Sequence, residues 1–183
     1  MEGTPSIVCP FTVIVDTREQ AGYSFTGLHE GTGPRRRQLI VPTIRAALDV
    51  ADYSVLGLPQ VLIERKSKSD LFGSVSRRAN FEGRLARMSE RQYAAVVVEA
   101  SWHEILSDPP RHSKIHPRSL ARTLIAWDCR YPVKWHLMPG RDAAEAMTFR
   151  LLERFYKDHR VTHDHDHDIT PDLTPLNTLD VST

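Results

Sequence analysis

The chain predicts a mixed α/β fold in which helices flank one central sheet, and three observations lead there. Residues 7–16, 61–66 and 93–100 are short apolar runs rich in β-branched side chains, with the length of strands rather than helices. Between and after them lie segments whose apolar residues recur at helical spacing. The 183 residues, 40% hydrophobic and 26% charged, suffice for one domain with its own core.

Each element follows from local chemistry. Ile7–Asp16 (IVCPFTVIVD) reads as a buried strand that runs out to a carboxylate at its edge. Gly22, Gly27, Gly31, Gly33 and Pro34 mark a long loop, closed by Arg35, Arg36 and Arg37. Ile44–Val50 fits a short helix as well as a strand. Leu58–Pro59 signals a turn before the strand Val61–Lys66 (VLIERK). Ser67 or Ser69 can cap the helix that follows, with Asp70 near its positive end. That helical stretch is expected to reach Glu90, with a break near Gly73 or Asn80. Phe81, Leu85 and Met88 form its apolar stripe, and Arg84, Arg87 and Arg91 a basic one.

Tyr93–Ala100 (YAAVVVEA) has the continuous apolar character of a central strand. Asp108–Pro117 is a loop rich in Pro and His. Arg118–Arg130 reads as a helix with Leu120, Leu124 and Trp127 on one face. Val133–Met138 alternates like a strand, and Arg141–His159 closes the domain as a helix with Ala144, Met147, Leu151 and Phe155 inward. From Val161 the periodicity stops: HDHDHD and two Thr-Pro pairs offer too little apolar surface to offset ordering entropy. The expected organisation is a domain over 1–160 and a disordered tail over 161–183.

Charge divides along the same line. The formal charge is +1, from 24 Lys and Arg against 23 Asp and Glu. Asp164, Asp166, Asp168, Asp172 and Asp180 all lie in the tail, which has no Lys or Arg, so the body carries 24 − 18 = +6. A basic body points to an anionic partner. Cys9 and Cys129 stand alone, which excludes a Cys-x-x-Cys zinc site and leaves both as expected core residues. No apolar run approaches the roughly 20 residues of a membrane span. Met1–Thr4 lacks the basic start of a secretory signal, so an intracellular, cytoplasmic protein is expected.

The chemistry concentrates in a set of acids and bases on short strands. Glu64 and Lys66 are two apart in a strand and share a face, while Arg65 points the other way. Asp16 ends the first strand, Asp52 lies a turn before Glu64, and Asp70 follows Lys66 by four. Charges taken out of water cost several kcal/mol unless paired or metal-bound. Oxygen ligands without His or Cys suit Mg²⁺ or Mn²⁺ rather than Zn²⁺. Such an ion can activate water and neutralise charge growing on a phosphate, with a nearby lysine orienting the water or stabilising the phosphate. By itself an exposed Glu-Arg-Lys…Asp set is more often a surface ion-pair ladder.

The motifs themselves resemble a known family. Val15-Asp16-Thr17-Arg18-Glu19, Val50-Ala51-Asp52-Tyr53 and Ile63-Glu64-Arg65-Lys66-Ser67-Lys68-Ser69-Asp70-Leu71 are similar to the nuclease domain of the XPF/Mus81 (ERCC4-type) family. That family's pattern is V-D-x-R-E, then G-D, then E-R-K-x-x-x-D. Phe81-Glu82-Gly83-Arg84-Leu85 resembles the helix after the motif, and the likeness covers residues 8–158.

The resemblance implies a restriction-endonuclease-like (PD-(D/E)xK) fold and Mg²⁺- or Mn²⁺-dependent cleavage of branched or flapped DNA. It implies Asp52 and Glu64 as metal ligands, with Asp16 supporting the metal directly or through water. Lys66 would act on the attacking water or scissile phosphate. Arg18 and Arg65 would hold phosphate or lock the acidic cluster, and Asp70 would bind metal through water or pair with Arg65 or Lys66. The chain departs from the pattern at Ala51, where the family has glycine, and in lacking the tandem helix-hairpin-helix module. The second departure leaves cleavage of unbranched DNA open and implies a compact prokaryotic or phage-type enzyme. A non-catalytic DNA-binding subunit is the other alternative, and the complete acidic set argues against it.

Arg35, Arg36, Arg37, Arg77, Arg78, Arg84 and Arg87 are the candidate DNA-binding groups, weighed evenly against a plain solvated surface. His103, His112 and His116 read as surface groups, and Trp127, Trp135 and Phe155 as core. Family nuclease domains pair through helices after the central strands, so 118–130 and 141–159 are candidate homodimer surfaces.

Overall fold

The computed structural model describes residues 5–166. Its main sheet has six strands in the order β5-β2-β6-β7-β8-β9. These are β2 (Val13–Asp16), β5 (Thr43–Ala46), β6 (Tyr53–Val55), β7 (Leu58–Lys66), β8 (Tyr93–Val98) and β9 (Lys134–Leu137). A second sheet of three, in the order β1-β4-β3, joins β1 (Ser6–Val8), β4 (Arg37–Ile40) and β3 (His29–Glu30). The helices are α1 (Lys68–Ser76), α2 (Arg78–Met88), α3 (Trp102–Ser107), α4 (Pro117–Arg130) and α5 (Arg141–Asp166).

The expected single strand over 7–16 is two strands in two sheets. Pro10 sits between them, and a residue with no N–H and a fixed φ interrupts a ladder. Residues 44–50 resolve as strand only in part: β5 is an edge strand, parallel to β2 and mostly exposed, so it carries no apolar alternation to read. The turn at Leu58 lies one step earlier, at Leu56–Gly57, where Gly57 has φ 83° and Val55 pairs with Leu58. The helix break falls at Arg77 (φ −109°, ψ 43°), between the two positions expected.

Ser67 caps α1 as anticipated, its side chain accepting from the Asp70 N–H. The short helix α3 is an addition, opened by a capping box of Ser101 and Glu104. The backbone of α5 continues to Asp166 rather than stopping at His159. The remainder of the expected tail, from 167 on, lies outside the described residues.

Strand alternation sorts the core into two halves. Val61 and Ile63 of β7 and Ala95 and Val97 of β8 face α5, meeting Ala144, Phe149, Leu152 and Phe155. The inward stripe of α5 is therefore rotated from the expected one, and Met147 and Leu151 flank it half-buried. Leu62, Ala94, Val96 and Val98 face the other way, onto Leu71 and Phe72 of α1, Phe81, Leu85 and Met88 of α2, and Leu120, Leu124 and Trp127 of α4. Cys9 is buried, but Cys129 is exposed. Two residues past the buried Trp127, it is turned about 200° around the helix. Among the described residues no helix is long and apolar enough to cross a membrane.

Candidate active site

Strand direction brings the acidic residues together. β6 is antiparallel to both β2 and β7, so its start lies beside the ends of both. β7 and β8 are parallel, so their ends also coincide. Asp16 ends β2, Asp52 stands just before β6, Glu64 to Lys66 end β7, and Glu99 follows β8. The backbone ties them: Asp16 N–H donates to Asp52 O (2.8 Å), Asp52 N–H to Ile63 O (3.0 Å) and Glu99 N–H to Lys66 O (2.8 Å).

The turn into Asp52 carries the sequence departure. Ala51 has φ 72° and is buried at 1% exposure. The left-handed conformation that a glycine would supply freely is held by an alanine, so the turn keeps its shape and the residue carries the strain.

On the α2 side of the sheet lie Asp52 and Glu64 with two cations. Glu64 is 1% exposed. Lys66 Nζ donates to its Oε1 at 2.9 Å and packs over the Phe81 ring at 4.7 Å. Arg84 Nη2 hydrogen-bonds Glu64 Oε2 and lies 3.8 Å from Asp52 Oδ1. Asp52 Oδ2 accepts the Arg65 backbone N–H at 2.7 Å. Burial first, and the negative charge of Glu64 second, push the Asp52 carboxyl well above the ordinary carboxylate range. The predicted shared face of Glu64 and Lys66 is thus in place.

Arg65 projects to the α5 side and is locked there. Its Nε and Nη2 grip both oxygens of Glu99 (2.7 and 3.0 Å), and its Nη1 reaches Glu19 at 3.4 Å. Arg141 Nη1 adds a second cation on Glu99 Oε1 at 3.0 Å, and the Tyr23 ring lies under both guanidinium groups. The Arg65 guanidinium thus meets Glu99 and Glu19, while only its backbone N–H meets the acids on the α2 side.

Asp16 is closed off differently. Arg18 Nε and backbone N–H both donate to Oδ1 at 2.8 Å, while Arg18 Nη2 (3.0 Å) and the Leu48 N–H (2.7 Å) fill Oδ2. The Arg18 hydrogen bond, more than any other influence, holds the Asp16 carboxyl down at about 2. Both its oxygens are filled, and through the Leu48 N–H Asp16 braces the turn there. Asp70 serves as the start of α1, exchanging hydrogen bonds with Ser67 (2.6 and 3.1 Å). The expected pairing of Asp70 with Arg65 or Lys66 does not occur, because Glu99 and Glu64 hold those cations.

The basic residues are more dispersed than the sequence stripe implies. Arg84 turns onto Glu64, while Arg87 and Arg91 both pair with Asp49. Arg78 pairs with Glu82 one turn on, and Arg77 is exposed at the helix junction. Arg35, Arg36 and Arg37 are exposed in and around the small sheet, with Arg36 on His29 and Arg37 on Glu30.

Sequence reading missed Glu19, Glu99 and Arg141 as parts of this site. A signal was present for Glu99: like Asp16, it is a lone carboxylate at the end of an apolar strand.

Among the described residues no group of three or more His, Cys, Asp or Glu side chains converges as a metal site. Two carboxylates, Asp52 and Glu64, do share one cation, Arg84. A pair of buried oxygen donors fits an ion such as Mg²⁺, which binds through one or two carboxylates and keeps several waters.

Comparison with known proteins bears on the fold and the family. No curated protein sequence matches. Two solved structures do: XPF from Aeropyrum pernix, 20% identical with a TM-score of 0.58 over 91% of this chain and 69% of that one, and XPF from Aeropyrum pernix in complex with DNA, 22% identical with a TM-score of 0.56 over 81% and 66%. This chain therefore spans about two thirds of the length of those proteins, and at that identity the likeness establishes the shared fold: a mixed sheet flanked by helices, of the PD-(D/E)xK type. The ERCC4 domain model matches residues 15–151, more than half the chain and the whole of the site. The chain belongs to the ERCC4-domain, XPF-type nuclease family.

Proposed function

We propose that the protein is a divalent-metal-dependent DNA endonuclease acting on branched, flapped or junction DNA. The observation that carries this reading is the meeting of Asp52 and Glu64 beside Lys66 at one end of the sheet. Burying two like charges together is costly, and apolar residues of similar size would stabilise the fold at least as well. The arrangement makes sense when the pair has a cation to hold.

Asp52 and Glu64 are the residues that would hold Mg²⁺ or Mn²⁺. That ion would favour ionisation of an attacking water and offset charge on the phosphate. Lys66, fixed by Glu64 and Phe81, presents an ammonium group at the same place and stabilises negative charge on the phosphoryl oxygens. Arg65, Glu99 and Glu19 act from the other face by holding β7, and so the Asp52 carboxylate, in position. Asp16 and Arg18 brace the turn that precedes Asp49.

A homodimer fits the same reading. Ile125 on α4 (58% exposed), Leu106 (49%) and Trp102 (42%) on α3 leave apolar surface uncovered. A groove of about 170 Å³ lined by Trp102, Leu124, Ile125, Trp135 and Leu137, with Asp128 as its charged member, runs beside the edge strand β9.

The test is cleavage of flap, fork, single-stranded and duplex DNA with Mg²⁺ or Mn²⁺. Cutting of flap or fork DNA is expected, and Asp52→Asn and Lys66→Ala should each abolish it with the fold intact. Preference for plain duplex would replace the junction reading with a restriction- or recombination-type one. No cleavage of any substrate by folded protein would leave a binding subunit. Light scattering tests the dimer.

A further inference from the structure

Among the described residues, each acid of the pair has one oxygen committed to a fixed partner and one held only by Arg84. Glu64 Oε1 is taken by Lys66, and Asp52 Oδ2 by the Arg65 backbone N–H. The oxygens left for an incoming cation are Glu64 Oε2 and Asp52 Oδ1, and a single nitrogen, Nη2 of Arg84, lies against both.

Arg84 is also the loosest of the charged groups there. Its side chain is 41% exposed against 10% for Arg65. Arg65 engages three guanidinium nitrogens, whereas Arg84 engages one and leaves Nε buried with no hydrogen-bond partner. A buried N–H without a partner costs free energy, so this resting position depends on one charged hydrogen bond rather than on a full set of them. The buried residues of α2 are Phe81, Leu85 and Met88, so the packing of the helix does not depend on where the Arg84 side chain lies.

We infer that Arg84 is an exchangeable counter-ion of the acidic pair: it neutralises Glu64 and Asp52 in the metal-free protein and swings out as a divalent cation takes their oxygens. The inference rests on the metal-dependent reading above. It makes Arg84 a competitor for the site, so that its removal strengthens cation binding while the pair it leaves behind loses a stabilising charge.

Calcium and manganese binding to the full chain, measured by isothermal titration calorimetry, tests this. Arg84→Gln and Arg84→Met are each expected to bind roughly two- to fivefold more tightly than the parent, the range expected for losing a partly exposed competing ion pair. Equal or weaker binding by folded variants overturns the inference and leaves the nuclease reading intact. No binding by parent or variants overturns both. Should neither variant fold, the parent suffices: the Arg84 Nε–Hε NMR signal should shift during a Ca²⁺ titration with the calorimetric midpoint, while that of Arg65 stays put. An Arg84 signal that ignores bound Ca²⁺ overturns the inference.

Discussion

The backbone N–H of Arg65 donates to Asp52 Oδ2 at 2.7 Å, while the guanidinium of the same residue grips Glu99 on the opposite face of the sheet. One residue thereby links the acidic pair to a second ion network on the α5 side. Arg65 and Glu99 are each about 10% exposed. Removing one member of such a buried pair strands the other, at a cost of roughly 3–5 kcal/mol. Arg141 remains on Glu99 and softens the loss. Arg65→Met is therefore expected to destabilise by about 2–4 kcal/mol in urea denaturation, and Arg65→Lys by less, since a lysine keeps the charge although it cannot make the paired contact. A loss below about 1 kcal/mol for Arg65→Met, the level of an exposed pair, would mean that the network does not hold the strand.

The Asp52 carboxyl gives the protein a pH signature. Its ordinary value is 3.8, and burial with Glu64 nearby raises it in the folded state. The unfolded chain then loses this proton first as pH rises. In that window the folded state binds more protons, so this group's contribution to stability falls from about pH 4 upward through the neutral range. Asp52→Asn cannot ionise and escapes the loss. It should gain about 1 kcal/mol or more on the parent between pH 5 and pH 8. A cation needs the ionised carboxylate, so Ca²⁺ should raise the parent's melting temperature more at pH 8 than at pH 5.5, and raise that of Asp52→Asn little at either. Parallel pH profiles for the two proteins would show that Asp52 ionises normally.

How much of this was legible in the sequence depends on whether a short period or a long-range pairing decides the outcome. The common face of Glu64 and Lys66 follows from the two-residue repeat of a strand, and it holds because both flanks of β7 are paired and its register is fixed. Leu120, Leu124 and Trp127 were readable for the same reason at helical spacing. The partners of Arg65 were not. Glu99 comes beside it only through the parallel register that sets Lys66 against Val98, and no local pattern encodes that register. Arg84 shows the limit from the other direction. Its spacing with Arg87 and Arg91 is a true helical stripe, but spacing does not say that one end of the stripe overhangs a buried carboxylate and the other meets Asp49. The edge strand β5 was ambiguous because an exposed strand needs no apolar alternation.

Ala51 offers the sharpest single-residue test of the turn that delivers Asp52. A left-handed conformation costs an L-residue about 1–2 kcal/mol, and Ala51 adopts it at φ 72°. Glycine would relieve that strain. It would also give up a buried methyl worth about 0.8 kcal/mol and add about 0.5–1 kcal/mol of chain entropy to be lost on folding. The opposing effects nearly cancel, so Ala51→Gly should match the parent within about 1 kcal/mol, with its Ca²⁺ response unchanged. Valine brings a β-branch to a positive φ and extra volume to a position only 1% exposed. Ala51→Val should therefore cost at least about 2 kcal/mol and weaken Ca²⁺ binding by displacing Asp52. Urea denaturation of the three proteins measures the stability order. A valine variant as stable as the parent would show that residue 51 leaves the left-handed region at no cost, and that Asp52 is set by its hydrogen bonds to Ile63, Asp16 and Arg65 alone.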